Sequence, residues 1–137
     1  MTLSIGSAHK QWVSNARRAH IDNGTGPGKI KYYPDPRPAS GDTPTVTMLC
    51  QMLLAKPCGT VDPSGLHLTT SAPAQATGSG IIRWARITDS DDNFIMDGDV
   101  RMVSDADIAI ADFVIDVARV LTGSFINLVA SSLAEGG

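Results

Sequence analysis

Glycine and proline interrupt this chain so often that it cannot be read as a helical bundle. Thirteen Gly and eight Pro are spread along its length, and each either relaxes or fixes the backbone in a way that ends regular elements. The acidic residues push in the same direction, because thirteen are Asp and only Glu135 is Glu. Asp competes with the helix backbone for hydrogen bonds and favours caps and turns. An all-β fold with many turns is the expectation. At 137 residues the chain has the size of one domain and can bury a core without a metal or disulfide staple.

The one helical signal lies at the front. Residues 7–20 (SAHKQWVSNARRAH) can form a short helix with Ser7 as cap and a thin apolar face of Trp12, Ala16 and Ala19. This predicts an N-terminal arm, helical or extended, over residues 1–24. The glycine-rich stretch Asp22–Gly28 then reads as a loop. Ile30 and Tyr32 alternate with Lys29 and Lys31 as a strand does, until Pro34, Pro36 and Pro38 stop the ladder.

Further strands are expected at Thr45–Ala55, bounded by Pro44 and Pro57, and more weakly at Gly65–Thr69. Gly80–Thr88 is the best strand signal. The polar run Asp89–Asn93 turns it back through Phe94–Met96, making a hairpin anchored by Trp84. Asp107–Val117 and Val120–Val129 complete the set, and residues 131–137 read as a flexible tail. About six to eight short strands without long helical crossovers predict an antiparallel two-sheet sandwich or jelly roll over residues 25–130. Trp84, Ile82, Phe113, Phe125, Leu53 and Tyr32 are expected to share one core.

Charge divides unevenly. Residues 1–38 carry six basic and two acidic side chains, a balance of +4, whereas residues 39–137 carry five basic and twelve acidic ones, a balance of −7. The overall formal charge of −3 argues against direct nucleic-acid binding, which normally requires a net basic field. No run of 18 or more apolar residues is present, and the start lacks a basic segment followed by an apolar one. Neither a membrane span nor a signal peptide is expected. Cys50 and Cys58 have no neighbouring His or second Cys pair, so they read as reduced thiols rather than zinc ligands.

Sites for chemistry are few. Asp89, Asp91 and Asn93 copy the start of a calcium loop, but Phe94 and Val100 occupy the positions that need Gly and a bidentate carboxylate. An ordinary turn is the expectation. The pairs Asp97/Asp99 and Asp105/Asp107 lie in turn-like sequence with nothing to shift their pKa values. His9, His20 and His67 are widely separated and belong to no local triad motif. Gly24, Gly26 and Gly28 precede a strand instead of opening a helix, unlike a phosphate-binding loop. No catalytic residue, cofactor or metal is expected.

A succession of motifs is nonetheless distinctive. Gly26-Pro27-Gly28-Lys29-Ile30-Lys31-Tyr32-Tyr33 is followed by a Pro-rich link, by Leu53-Leu54-Ala55, by the run Ala76–Ser90 containing Arg83-Trp84-Ala85-Arg86, and by Met96-Asp97-Gly98-Asp99-Val100. In this order, over about residues 20–129, the chain resembles a group of small structural proteins of tailed-bacteriophage virions. It departs from them at Cys58, where an aromatic or apolar residue is common, and at Asp92-Asn93, which replaces a Gly-containing turn.

The resemblance implies a β-sandwich used in particle assembly, with no catalytic residues to carry over. The first expectation is a cement or decoration protein on the capsid exterior, assembled in the host cytoplasm, with the major capsid protein as partner. It also includes self-association, a dimer being favoured. A head-tail connector or tail component is the alternative, followed by a small ligand-binding sandwich or enzyme. Within residues 1–38, Trp12, Tyr32 and Tyr33 are candidate apolar anchors, with Arg17, Arg18 and Arg37 as charge partners, since aromatics and arginines dominate binding hot spots.

Overall fold

The computed structural model describes residues 7–105, 112–131 and 133. Helix α1 (Ser7–Ile21) is the single helix among them. Arg18 and His20 occupy its last turn, where positive charge suits the carbonyl end of the helix dipole. Its apolar face is as thin as expected. Ile21 is fully buried, the other covered side chain being Ser14, and Arg17 and Arg18 donate to the carbonyls of Leu133 and Gly59, so the helix rests on polar contacts as well as on packing.

The strand nearest α1 in sequence is β1 (Lys29–Tyr33), which pairs antiparallel on one side with β2 (Cys50–Asp62) and on the other with β6 (Trp84–Thr88). Gly28, just ahead of β1, has no room for a side chain, because a Cβ there would lie 2.4 Å from Cγ2 of Ile21. That absence lets the end of α1 settle onto the sheet. β2 continues into β3 (Gly65–Thr70), and β6 turns back into β7 (Phe94–Met102). β7 lies parallel to β8 (Phe113–Ile115), and β8 pairs antiparallel with β11 (Leu128–Ser131). The order of this seven-stranded sheet is β11-β8-β7-β6-β1-β2-β3.

Its two edges meet. The Leu66 and Leu133 backbones exchange hydrogen bonds of 3.2 and 3.0 Å, and the Leu68 amide donates to Ser131 Oγ at 2.9 Å. The sheet is therefore nearly closed on itself around a core that includes Ile30, Tyr32, Met52, Leu54, Ile87 and Phe113. Closure hides the unpaired edges that an open sheet would expose. The remaining strands form a ribbon beside the sheet: β4 (Ala74–Gln75) with β10 (Phe125–Ile126), and β5 (Gly80–Ile81) with β9 (Arg119–Val120).

Several expectations need correction. The sheet is mixed, since β7 and β8 run parallel, and the described strands group into one large sheet with a ribbon rather than dividing by hydrogen bonding into two facing sheets. The strand expected over Thr45–Ala55 starts at Cys50 and passes through Pro57 to Asp62. Pro57 is tolerated because the pairing with β3 shifts register between Leu54 and Gly59, and a bulge asks for no ladder donor there. Gly80–Thr88 is divided at Ile82 and Arg83, whose amides bond to Ala118 and Tyr33 respectively as the chain passes from ribbon to sheet.

The core is also distributed differently. Tyr32, Ile82 and Phe113 are inside, but Leu53 and Phe125 are 44% and 61% exposed. Trp84 is fully buried on the other face of β6. It lies opposite Tyr33 while Ala85 faces Tyr32 in the interior, and the segment 34–44 meets this outer face through the Pro34 carbonyl at Trp84 and the Asp42 carbonyl at Arg86. At the chain end, Ser131 and Leu133 are buried and bonded to β3, so the segment expected to fray is anchored at these two positions. Part of the strand expected at Asp107–Val117 lies outside the described residues, as does Asp107; Phe113–Ile115 is strand.

Candidate interaction face

Residues 74–82 run antiparallel to residues 118–126 through both two-stranded pieces. Ala74 and Gln75 face Ile126 and Phe125, and Gly80 and Ile81 face Val120 and Arg119. Between them, Ala76 donates to Ser124 and accepts from Gly123, and Thr122 donates to Ser79 Oγ at 3.0 Å. Period-two geometry sorts the side chains. Ala74, Ala76, Ile82, Val120 and Ile126 turn inward and are buried.

The outward set is largely uncharged. It comprises Gln75, Thr77, Ser79 and Ile81 on one strand and Arg119, Leu121 and Phe125 on the other. Leu121 is 67% and Phe125 61% exposed. Arg119 is the single ionisable side chain of this set. One shallow hollow of about 370 Å³ is lined by Ile81, Arg119 and Leu121, and another of about 210 Å³ by Leu53, Pro73 and Gln75, the last lying across from Phe125. Apolar side chains gathered around an arginine, with charges otherwise absent, are the composition of a protein-binding surface core.

The six residues expected to form the interface do not form one face. Trp12 is 70% exposed on α1, its ring stacked at 6.3 Å on His9, and remains accessible. Arg17 and Arg18 point back into the domain, donating to the carbonyls of Leu133 at 3.5 Å and Gly59 at 3.4 Å. Tyr32 is fully buried and its hydroxyl donates to Met52 Sδ at 3.7 Å. Burial and nearby negative groups push its phenol well above the ordinary tyrosine range. It is a core residue, not an anchor.

Tyr33 stacks on Trp84 with centroids 4.4 Å apart and is likewise covered. Arg37 is accessible but engaged, donating to Asp99 Oδ1 at 2.9 Å and to the Asp97 carbonyl at 3.3 Å. It sits by β7, whereas α1 lies against β2 and β3. Ile81, Arg119, Leu121 and Phe125 escaped sequence reasoning. The signal that could have found them is the alternation of small residues at 74, 76, 78 and 80 with larger ones at 75, 77, 79 and 81. Gly78 and Gly80 leave space filled by Leu49, whose methyl carbons would lie 3.3 and 3.2 Å from added Cβ atoms.

The carboxylates are mostly engaged within the fold. Asp89 Oδ1 accepts from the Asp91 and Asn93 amides at 2.9 and 3.0 Å, and Oδ2 accepts from Asn93 Nδ2. These bonds hold the carboxyl below its usual range, and its oxygens staple the turn. Asp92, in the left-handed region at φ 66°, pairs with Lys29 and Lys31, each at 2.9 Å. Among the described residues, an open hollow of about 330 Å³ is lined by Asp35, Arg83, Asp99, Arg101 and Asp105, whose mixed charges select no ligand class.

His67 does meet a serine and an aspartate. Its Nε2 lies 2.8 Å from Ser64 Oγ and 3.0 Å from Asp62 Oδ1. A nucleophile-base-acid relay would place the carboxylate on the ring nitrogen remote from the serine. Here the serine hydroxyl donates directly to Asp62 at 2.6 Å, so the three do not form such a relay. No protein family, curated protein or solved structure matched the chain.

Proposed function

We propose that this chain is a virion structural protein that binds and stabilises a capsid shell, acting as a cement or decoration protein. The outward ribbon face carries the reading, because Ile81 and Leu121 beside Arg119, with Phe125 farther along the ribbon across from Gln75, offer an apolar, nearly charge-free contact of the kind that protein partners cover. The nearly closed sheet serves in this reading as the rigid sandwich-type body. Trp12 on α1 supplies a second contact. Repetition over a lattice turns two modest contacts per copy into firm attachment. The order of sequence motifs supplies the virion assignment, and the major capsid protein is the proposed partner.

The test is cosedimentation of the purified protein with capsid shells assembled without it. Leu121→Asp combined with Phe125→Asp should abolish binding while leaving the thermal midpoint close to that of the parent, since both residues are exposed. Trp12→Ala should weaken binding without abolishing it. Full occupancy by the double variant would exclude the ribbon face as the attachment surface. Parent protein that binds isolated tails but not shells would favour the head-tail or tail reading.

A further inference from the structure

At the seam where the sheet nearly closes, one histidine has an acceptor at each ring nitrogen. His67 Nδ1 lies 3.0 Å from the Ser131 carbonyl, and Nε2 lies 3.0 Å from Asp62 Oδ1. A carbonyl can only accept, and so can an ionised carboxylate. Asp62 is ionised at all ordinary pH, since hydrogen bonds from the Ser64 hydroxyl, His67 and the Ser64 amide lower its carboxyl to about 2. Both contacts are satisfied together only when both ring nitrogens carry protons, that is, when His67 is the imidazolium.

We infer that His67 is a pH-sensitive latch, which as the imidazolium ties the β2–β3 turn to the chain end at Ser131 and on deprotonation loosens the seam between β3 and the Ser131–Leu133 segment. Neutral imidazole has one N–H. If that proton stays on Nδ1, the Nε2 lone pair can be met only by the Ser64 hydroxyl, 2.8 Å away, which must then give up its bond to Asp62, and the bond to the Ser131 carbonyl loses its charge; if it stays on Nε2, the Ser131 carbonyl loses its donor. Either loss falls at the seam, where the bonds among the described residues include the Leu66–Leu133 pair, Leu68 to Ser131 Oγ, and Arg17 to the Leu133 carbonyl.

The charged surroundings leave Asp62 as the direct ionic partner. From β2 comes Asp62, and from α1 come Arg17 and Arg18, directed at the carbonyls of Leu133 and Gly59. From β11, Ser131 contributes no charge. The hydrogen bond to Asp62, then that to Ser131, raises the His67 pKa above its ordinary value. The latch therefore contributes fully below the ordinary histidine range and is lost as pH rises through the raised value. Loosening would uncover Leu66, fully buried in the closed form, together with two strand edges able to pair elsewhere. This inference concerns the seam and holds whether or not the ribbon face binds a capsid.

Nitrogen-15 NMR of the full-length protein, with amide hydrogen exchange followed across the His67 titration, tests it. Below the His67 midpoint both ring nitrogens should be protonated. As pH rises through it, protection of the Leu66 and Leu133 amides, corrected for intrinsic exchange, should fall about two- to fivefold, the scale of a partly exposed ion pair. Asp62→Asn keeps an oxygen for the Ser64 amide but removes the charge, and should lower the His67 midpoint. His67→Gln should abolish the pH dependence of protection. An unchanged midpoint in Asp62→Asn, pH-independent protection in the parent, or the same fall in His67→Gln would each overturn the latch.

Discussion

Arg86 and Asp97 face each other across β6 and β7 in a two-bonded pair, with Nε 2.7 Å from Oδ1 and Nη2 3.1 Å from Oδ2. The Asp97 side chain is wholly buried and that of Arg86 is 10% exposed. The guanidinium lies 5.6 Å from the Trp84 ring centroid and 5.0 Å from that of Phe94. Nη2 also donates to the Asp42 carbonyl at 2.7 Å. A buried ion pair thus joins the outer face of the hairpin to the proline-rich connection that covers it.

Removing one partner should be far worse than removing both. Asp97→Ala leaves a buried guanidinium uncompensated and is expected to cost about 3–5 kcal/mol. Arg86→Met combined with Asp97→Leu should cost much less than the two single changes added together, because no charge is stranded. Urea unfolding of the four proteins in a double-mutant cycle reads this directly.

Trp84 should act as the keystone of the outer cluster. Its ring stacks on Tyr33, and Nε1 donates to the Pro34 carbonyl at 2.8 Å. Trp84→Ala is expected to destabilise by about 3–5 kcal/mol, whereas Trp84→Phe, which retains a ring but not the donor, should lose about 1–3 kcal/mol. Near-ultraviolet dichroism alongside the unfolding curves would separate local loosening of residues 34–44 from global loss.

The Asp89 turn should give an acid-side signature. Its folded-state pKa is lowered, chiefly by hydrogen bonds from Asn93. The stability it contributes is therefore present above the ordinary aspartate range and is lost as pH falls through the lowered value. Asp89→Ala should reduce the thermal midpoint at neutral pH, and the difference from the parent should shrink on acidification. Millimolar calcium should leave the parent's midpoint unchanged, since the amides already occupy the Asp89 oxygens; a calcium-dependent rise would contradict that.

Both cysteines should be silent towards thiol reagents until the protein unfolds. Burial raises Cys50 to about 11, and burial together with Asp22 raises Cys58 to about 12. Thiolate is the reactive form. Titration with a disulfide reagent at pH 8 should find little reaction in the native state and two equivalents in denaturant.

Local chemistry made much of this molecule legible. The helix near residues 7–20, the β1 alternation, the β6–β7 hairpin and the Asp89–Asn93 turn all depend on neighbours within a few residues, where capping, period and turn propensity act. The outward ribbon was not legible, because its strands are only two residues long, too short for a period to show.

What the sequence determined by itself was the β class and which residues share a strand face. What covers each face was decided only in three dimensions. Tyr32 and Trp84 have similar apolar character, yet one fills the interior and the other is buried on the opposite face against Tyr33 and the Pro34 carbonyl. Leu53 and Phe125 are as hydrophobic as their buried neighbours but face outward and stay exposed. The parallel β7–β8 pair and the meeting of Leu66 with Leu133 likewise join segments through contacts that alternation does not encode. The physical reason is that backbone geometry fixes the period of a strand locally, whereas burial depends on which distant segment packs against it.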